Sequence, residues 1–117
     1  MQLTRIVDES IETIASLKNL NTEFENASKL LVETYRKGGK VLLCGNGGSA
    51  ADAQHIETEL VHRFEKDRKC LPAIALTINT STLTAIGNDW NFDQVFEKFK
   101  YKLLKVNSNY LCRYSFN

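Results

Sequence analysis

Residues 41–59 read VLLCGNGGSAADAQHIETE, and their interpretation decides the fold. Val41-Leu42-Leu43-Cys44 is a short continuous apolar run, the pattern of a parallel strand buried on both faces. It stops at Gly45-Asn46-Gly47-Gly48-Ser49, after which Ala50, Ala51 and Ala53 lead into a helix carrying His55 and Glu59. Strand, glycine turn and helix start in succession make an anion cradle, because the first helical N–H groups and the positive end of the dipole meet at the turn. His55 and Glu59, four residues apart, project from one face of that helix.

Upstream, residues 3–19 place Leu3, Ile6, Val7, Ile11, Ile14, Ala15 and Leu17 at helical spacing, which predicts an amphipathic helix. A turn is expected near Asn19-Leu20-Asn21-Thr22. A second helix follows from about Glu23 to Lys37, closed by Gly38-Gly39. Two such helices have more apolar face than one small sheet covers, so packing against another copy of the chain is expected by analogy with related folds.

Downstream, the helix is expected to run from Ser49 to about Phe64, and Glu65-Lys66-Asp67-Arg68-Lys69 reads as a solvated charged connector. Pro72 introduces a second strand, Ala73–Ile78. Asn79-Thr80-Ser81 offers capping oxygens for a short helix, Thr82 to Ile86, with Gly87 ending it and Asn88-Asp89-Trp90 forming a loop. Asn91 caps a further helix with Phe92, Val95, Phe96, Phe99 and Leu103 on its apolar stripe. The order α-α-β-α-β-α-α predicts an α/β fold whose parallel sheet is begun but not completed, with two strands visible.

At 117 residues the chain is one domain at most. Its net charge of +1 is unevenly spread. Residues 1–97 carry ten Lys/Arg against fourteen Asp/Glu, whereas Lys98, Lys100, Lys102, Lys105 and Arg113 face no acid in the remainder. One-signed blocks sometimes mark nucleic-acid or membrane arms. The lack of periodicity after Tyr101 favours instead a tail foreign to the fold's pattern. Cys44, Cys70 and Cys112 are odd in number and lack metal-like spacing, which fits a reducing compartment. No secretory leader and no membrane-length apolar run is evident, so a cytoplasmic protein is expected.

The glycine turn admits three readings. A Walker A loop fails, because no Lys follows the turn. A dinucleotide fingerprint matches as Gly45-x-Gly47-x-x-Ala50. It lacks an acid at the end of the second strand, where Ile78-Asn79-Thr80 stands, and Glu65 falls in the charged connector. A small phosphosugar held by turn amides and by Ser49 is the third. His and Glu one turn apart are more often a surface pair than a working pair; proximity to the turn favours the latter. Glu57 and His62 fall on other faces of the helix and are expected to be solvated.

Gly45-Asn46-Gly47-Gly48-Ser49-Ala50-Ala51-Asp52-Ala53-Gln54-His55, then Glu59-Leu60 and Arg63-Phe64, resemble the signature of bacterial phosphoheptose isomerases. Leu71–Leu76, Thr84–Asp89 and Phe92–Phe96 continue the likeness, which covers roughly residues 1–99. The resemblance implies a sugar-isomerase (SIS) fold, flavodoxin-like, interconverting sedoheptulose 7-phosphate and heptose 7-phosphate for the cell envelope. It implies that Asn46, Gly47, Gly48 and Ser49 contact the substrate, that Asn88 and Asp89 face them, and that Asp52 and Arg63 are neighbours. It makes Glu59 the base, and gives His55 and Glu59 as two of four zinc ligands in a family of homo-oligomers, tetramers among them.

The departure from that family is equally specific. Its third strand, Ser-Thr-Ser phosphate loop and later Gln and His have no counterpart in this sequence. The sequence therefore predicts the N-terminal part of a SIS domain over 1–99 and a non-native basic tail over 100–117, with C-terminal truncation impairing turnover. The expected partner is a sugar phosphate, with no nucleic acid and no membrane. A non-catalytic sugar-phosphate-binding or protein-interaction module on the same fold is the alternative.

Overall fold

The computed structural model describes residues 2–104 and 113–115. Helix α1 (Gln2–Ser16) passes through a 3-10 turn (Leu17–Leu20) directly into α2 (Asn21–Arg36). Strand β1 (Val41–Cys44), α3 (Gly48–Val61), β2 (Ala73–Ala75), α4 (Thr80–Asp89), a 3-10 turn (Phe92–Gln94), α5 (Val95–Leu104) and β3 (Arg113–Ser115) follow. The turn expected at 19–22 is instead continuous helical backbone, because Asn21 is already in the right-handed helical region. The chain divides into two compact units, residues 1–30 and 31–117.

In the first unit α1 is amphipathic, yet none of its residues is buried. Leu3, Ile11, Ile14 and Leu17 are each more than half exposed.

The second unit is an α/β assembly around a parallel sheet in the order β2-β1-β3. Val41, Leu42 and Leu43 stand opposite Ala73, Ile74 and Ala75, and Leu42, Leu43 and Cys44 opposite Arg113, Tyr114 and Ser115. Three strands thus form where the sequence shows two. The third comes from the basic stretch, whose remaining residues 105–112 and 116–117 lie outside the described residues. The boundary expected at residue 99 falls inside α5.

Burial follows the period-two geometry of a strand. Val41 and Leu43 form the core with Ala53 of α3 and Ala73 of β2, and Leu31, Tyr35 and Leu60 pack against it. Leu42, on the opposite face, is buried as well, as a parallel strand covered on both sides requires. Each large side chain removed from water here contributes about 1.5–3 kcal/mol.

Helix α4 is longer than expected at both ends, starting at Thr80 rather than Thr82. It runs on through Gly87 to Asp89, so Asn88 and Asp89 occupy its last turn rather than a loop. Gly87 does not end it because its φ is not positive; the turn-off comes at Trp90, whose amide still donates to Ile86 O. The capping expectations hold. Asn79 accepts from the Thr82 amide at 2.9 Å and Asn91 from the Gln94 amide at 3.0 Å.

Candidate functional site

Sheet order places the site. β1 is paired on both sides, and the chain leaves its carboxyl end through the glycine turn, so the crevice lies where the strand order reverses. The turn is built by close approach. A Cβ on Gly45 would lie 2.5 Å from the Ser49 carbonyl oxygen, so no side chain fits there. Gly47 has φ +57° and ψ −123°, a combination essentially confined to glycine.

The Ser49 amide donates to Asn46 O at 3.0 Å and the Ala50 amide to Gly47 O at 3.1 Å, closing the turn on itself. No side chain caps the start of α3. Among the described residues the Gly47 and Gly48 amides have no backbone acceptor, and open amides at a helix start are the arrangement that suits an anion. The expected role of the Ser49 amide is therefore narrowed: it is spent inside the turn, and only its hydroxyl remains for a ligand.

The start of α3 is tied to the segment after β2 by two groups to which the sequence reading gave no role. Buried Thr77 donates its hydroxyl to Ala50 O at 3.5 Å and accepts from Gln54 Nε2 at 3.2 Å. Only their positions just past a strand end and one turn into a helix could have marked them.

Asp52, His55 and Glu59 recur at three and four residues along α3 and so share one side of it. His55 Nε2 and Glu59 Oε1 are 3.5 Å apart, with the His side chain 78% and the Glu side chain 38% exposed. Arg63 lies past the helix end, which comes at Val61 rather than near Phe64. Glu57 is half-buried rather than solvated, because it shares the inward stripe of Ala53 and Leu60, whereas His62 is exposed as expected. Asn88 and Asp89 hydrogen-bond to each other at 3.1 Å, and Lys98 Nζ sits 5.1 Å over the ring of adjacent Trp90. Among the described residues no hydrogen bond or ion pair joins Asn88 or Asp89 to the α3 side chains.

Zinc in proteins is held by a defined number of side chains. Structural zinc takes four protein ligands and catalytic zinc three. The described residues contain no cluster of three or more His, Cys, Asp or Glu able to hold a metal. His55 and Glu59 supply two donors and do not by themselves make a zinc site.

No helix among the described residues is long and apolar enough to cross a membrane. The SIS domain family matches residues 6–109. The chain belongs to that family. Within it, the chain is similar to phosphoheptose isomerases. It is 56% identical over 88 residues to the one from Aliarcobacter butzleri, covering 74% of this chain and 47% of that protein. With the one from Roseiflexus it shares 51% over 100 residues, covering 81% and 51%. The structure of phosphoheptose isomerase GmhA from Neisseria gonorrhoeae superposes with a TM-score of 0.70 at 37% identity, over 92% of this chain and 55% of that one. The phosphoheptose isomerase from Francisella tularensis gives 0.71 at 38% identity, over 84% and 53%. The chain thus spans about half the length of the curated relatives it matches.

Proposed function

We propose that the chain binds sedoheptulose 7-phosphate and carries the base half of an aldose–ketose isomerase site. The observation that supports this most is the uncapped start of α3 at the glycine turn, with Glu59 further along the same helix. In this reading the phosphosugar is held at the turn by the Gly47 and Gly48 amides and the Ser49 hydroxyl, with Asn46 alongside. Asp52 and Arg63 flank Glu59, and Asn88 and Asp89 orient the sugar hydroxyls.

Isomerisation moves one proton between neighbouring carbons. The Glu59 carboxylate removes a proton from C1 of the ketose, and the C1–H electron pair forms the C1=C2 bond as the C2 carbonyl becomes an enediol hydroxyl. Return of the proton to C2, with loss of the O1 proton, leaves the C1 aldehyde. A positioned carboxylate suits the first transfer; the O1/O2 proton exchange needs a separate acid.

Only two metal donors stand together, so the isolated chain is expected to bind the sugar phosphate and enolise it without appreciable net turnover. Zinc held by His55 and Glu59 requires further donors. The exposed apolar stripe of α1 supports a homo-oligomer, and Cys44 and Cys70, which form no disulfide among the described residues, suit a reducing cytoplasm. The two-donor site also favours a second reading, a binding module that does no chemistry.

One experiment separates the two. Incubation with sedoheptulose 7-phosphate in D2O, followed by NMR, should show deuterium entering C1. Calorimetric binding with no exchange would establish the binding module, and no binding at all would sink both readings.

A further inference from the structure

We infer that Arg68 is a positioning residue for Glu59, acting by clamping the carboxyl-terminal turn of α3. Its guanidinium donates through Nη1 to Leu60 O at 2.9 Å and to Lys69 O at 3.0 Å, and through Nη2 to Glu59 O. Leu60 O also accepts from the Leu71 amide at 3.1 Å, and Thr58 O from the His62 amide at 2.8 Å. The carbonyls that a helix end leaves without partners are thus gathered by one cation and one returning strand of chain. A planar fork can hold two successive carbonyls as an ammonium cannot, and its charge opposes the negative end of the dipole.

The connector is shaped to deliver this group. Glu65 has φ +55°, a left-handed conformation unfavourable for a residue with a Cβ, and the Lys66 amide folds back onto Phe64 O across it. That tight reversal brings Arg68 back to the helix it has just left. Little else fixes this end of α3: Leu60 is its last packed apolar residue, and Val61 is 38% exposed. The peptide that Arg68 holds belongs to Glu59 itself, so its rotation displaces the carboxylate directly.

This inference rests on Glu59 being the working base, and the test separates the two. In Arg68→Met, C1 deuterium exchange should fall about tenfold or more, since small misplacements of a reacting group are costly. Binding of inorganic phosphate at the distant glycine turn should hold within about twofold, and Arg68→Lys should recover part of the rate, being a cation without the fork. Amide exchange at Val61 and His62 should quicken by about tenfold or more while β1 stays protected, the mark of local rather than global opening. Unchanged C1 exchange in Arg68→Met, or protection lost equally across β1, overturns the inference. If the wild type exchanges no deuterium, the isomerase reading falls. The clamp is then judged on the Val61 and His62 amides and on the side-chain order of Glu59 by carbon relaxation; no change in either overturns it.

Discussion

The two ends of α3 are treated in opposite ways. Its start has no side-chain cap and turns on a glycine in a backbone conformation that residues with a Cβ rarely adopt; its end is closed by Arg68 and Leu71. A neighbouring helix shows that open starts are not general, since α4 is capped by Asn79. Capping typically stabilises by about 1 kcal/mol, so a bare start forgoes stability while keeping donors for a ligand. One end keeps its amide donors open and the other is tied down by Arg68 and Leu71, and Glu59 sits between them.

The comparison is broken most severely by removing what lies between. Glu59→Gln keeps both ends and should lower C1 deuterium exchange by about 10²–10⁴-fold, the usual contribution of a positioned base; NMR exchange rates check this. Gly45→Ala attacks the open end, because the added Cβ meets backbone rather than a movable side chain. A loss of about 3 kcal/mol, the upper end for overpacking, is expected, read from urea denaturation. Gly47→Ala is milder, a backbone conformation penalty of about 1–3 kcal/mol, and calorimetry should show weaker sugar-phosphate binding.

Asn79→Ala sharpens the contrast. It should cost about 1 kcal/mol of stability and leave phosphate binding unchanged, since α4 uses its cap structurally. The smallest effect concerns the Lys98–Trp90 contact beside Asp89. Lys98→Met should destabilise by no more than about 0.5–1 kcal/mol, as for an exposed cation–π pair, measurable as a small midpoint shift.

How much of this could be read from the chain alone depended on whether the signal was local. Val41–Cys44 was legible to the residue, because a buried parallel strand is a continuous apolar run ended by glycine. The glycine turn that opens α3 was legible for the same reason, its glycines being consecutive with the helix they open. Gly87 misled, because glycine inside a helix and glycine after one look alike in sequence. Arg68 was hidden for a different reason. Its acceptors are main-chain carbonyls eight and nine residues back, and carbonyls have no letter. Read by composition, Glu65–Lys69 is a solvated loop; only geometry shows that one of its charges is turned inward. Thr77 and Gln54 escaped likewise, being joined across 23 positions.

The pairing of β1 also has an order in time. Val41 meets Ala73 across 32 positions (73 − 41), whereas Leu42 meets Arg113 across 71 (113 − 42). Closing the longer loop costs about 0.7 kcal/mol more by the logarithmic rule, and three residues of pairing return little for it. Loop closure alone therefore favours docking of β2 before β3. In the interval one edge of a wholly apolar strand stands open, and that interval, rather than the finished fold, is when the chain is most exposed to pairing with another copy of itself.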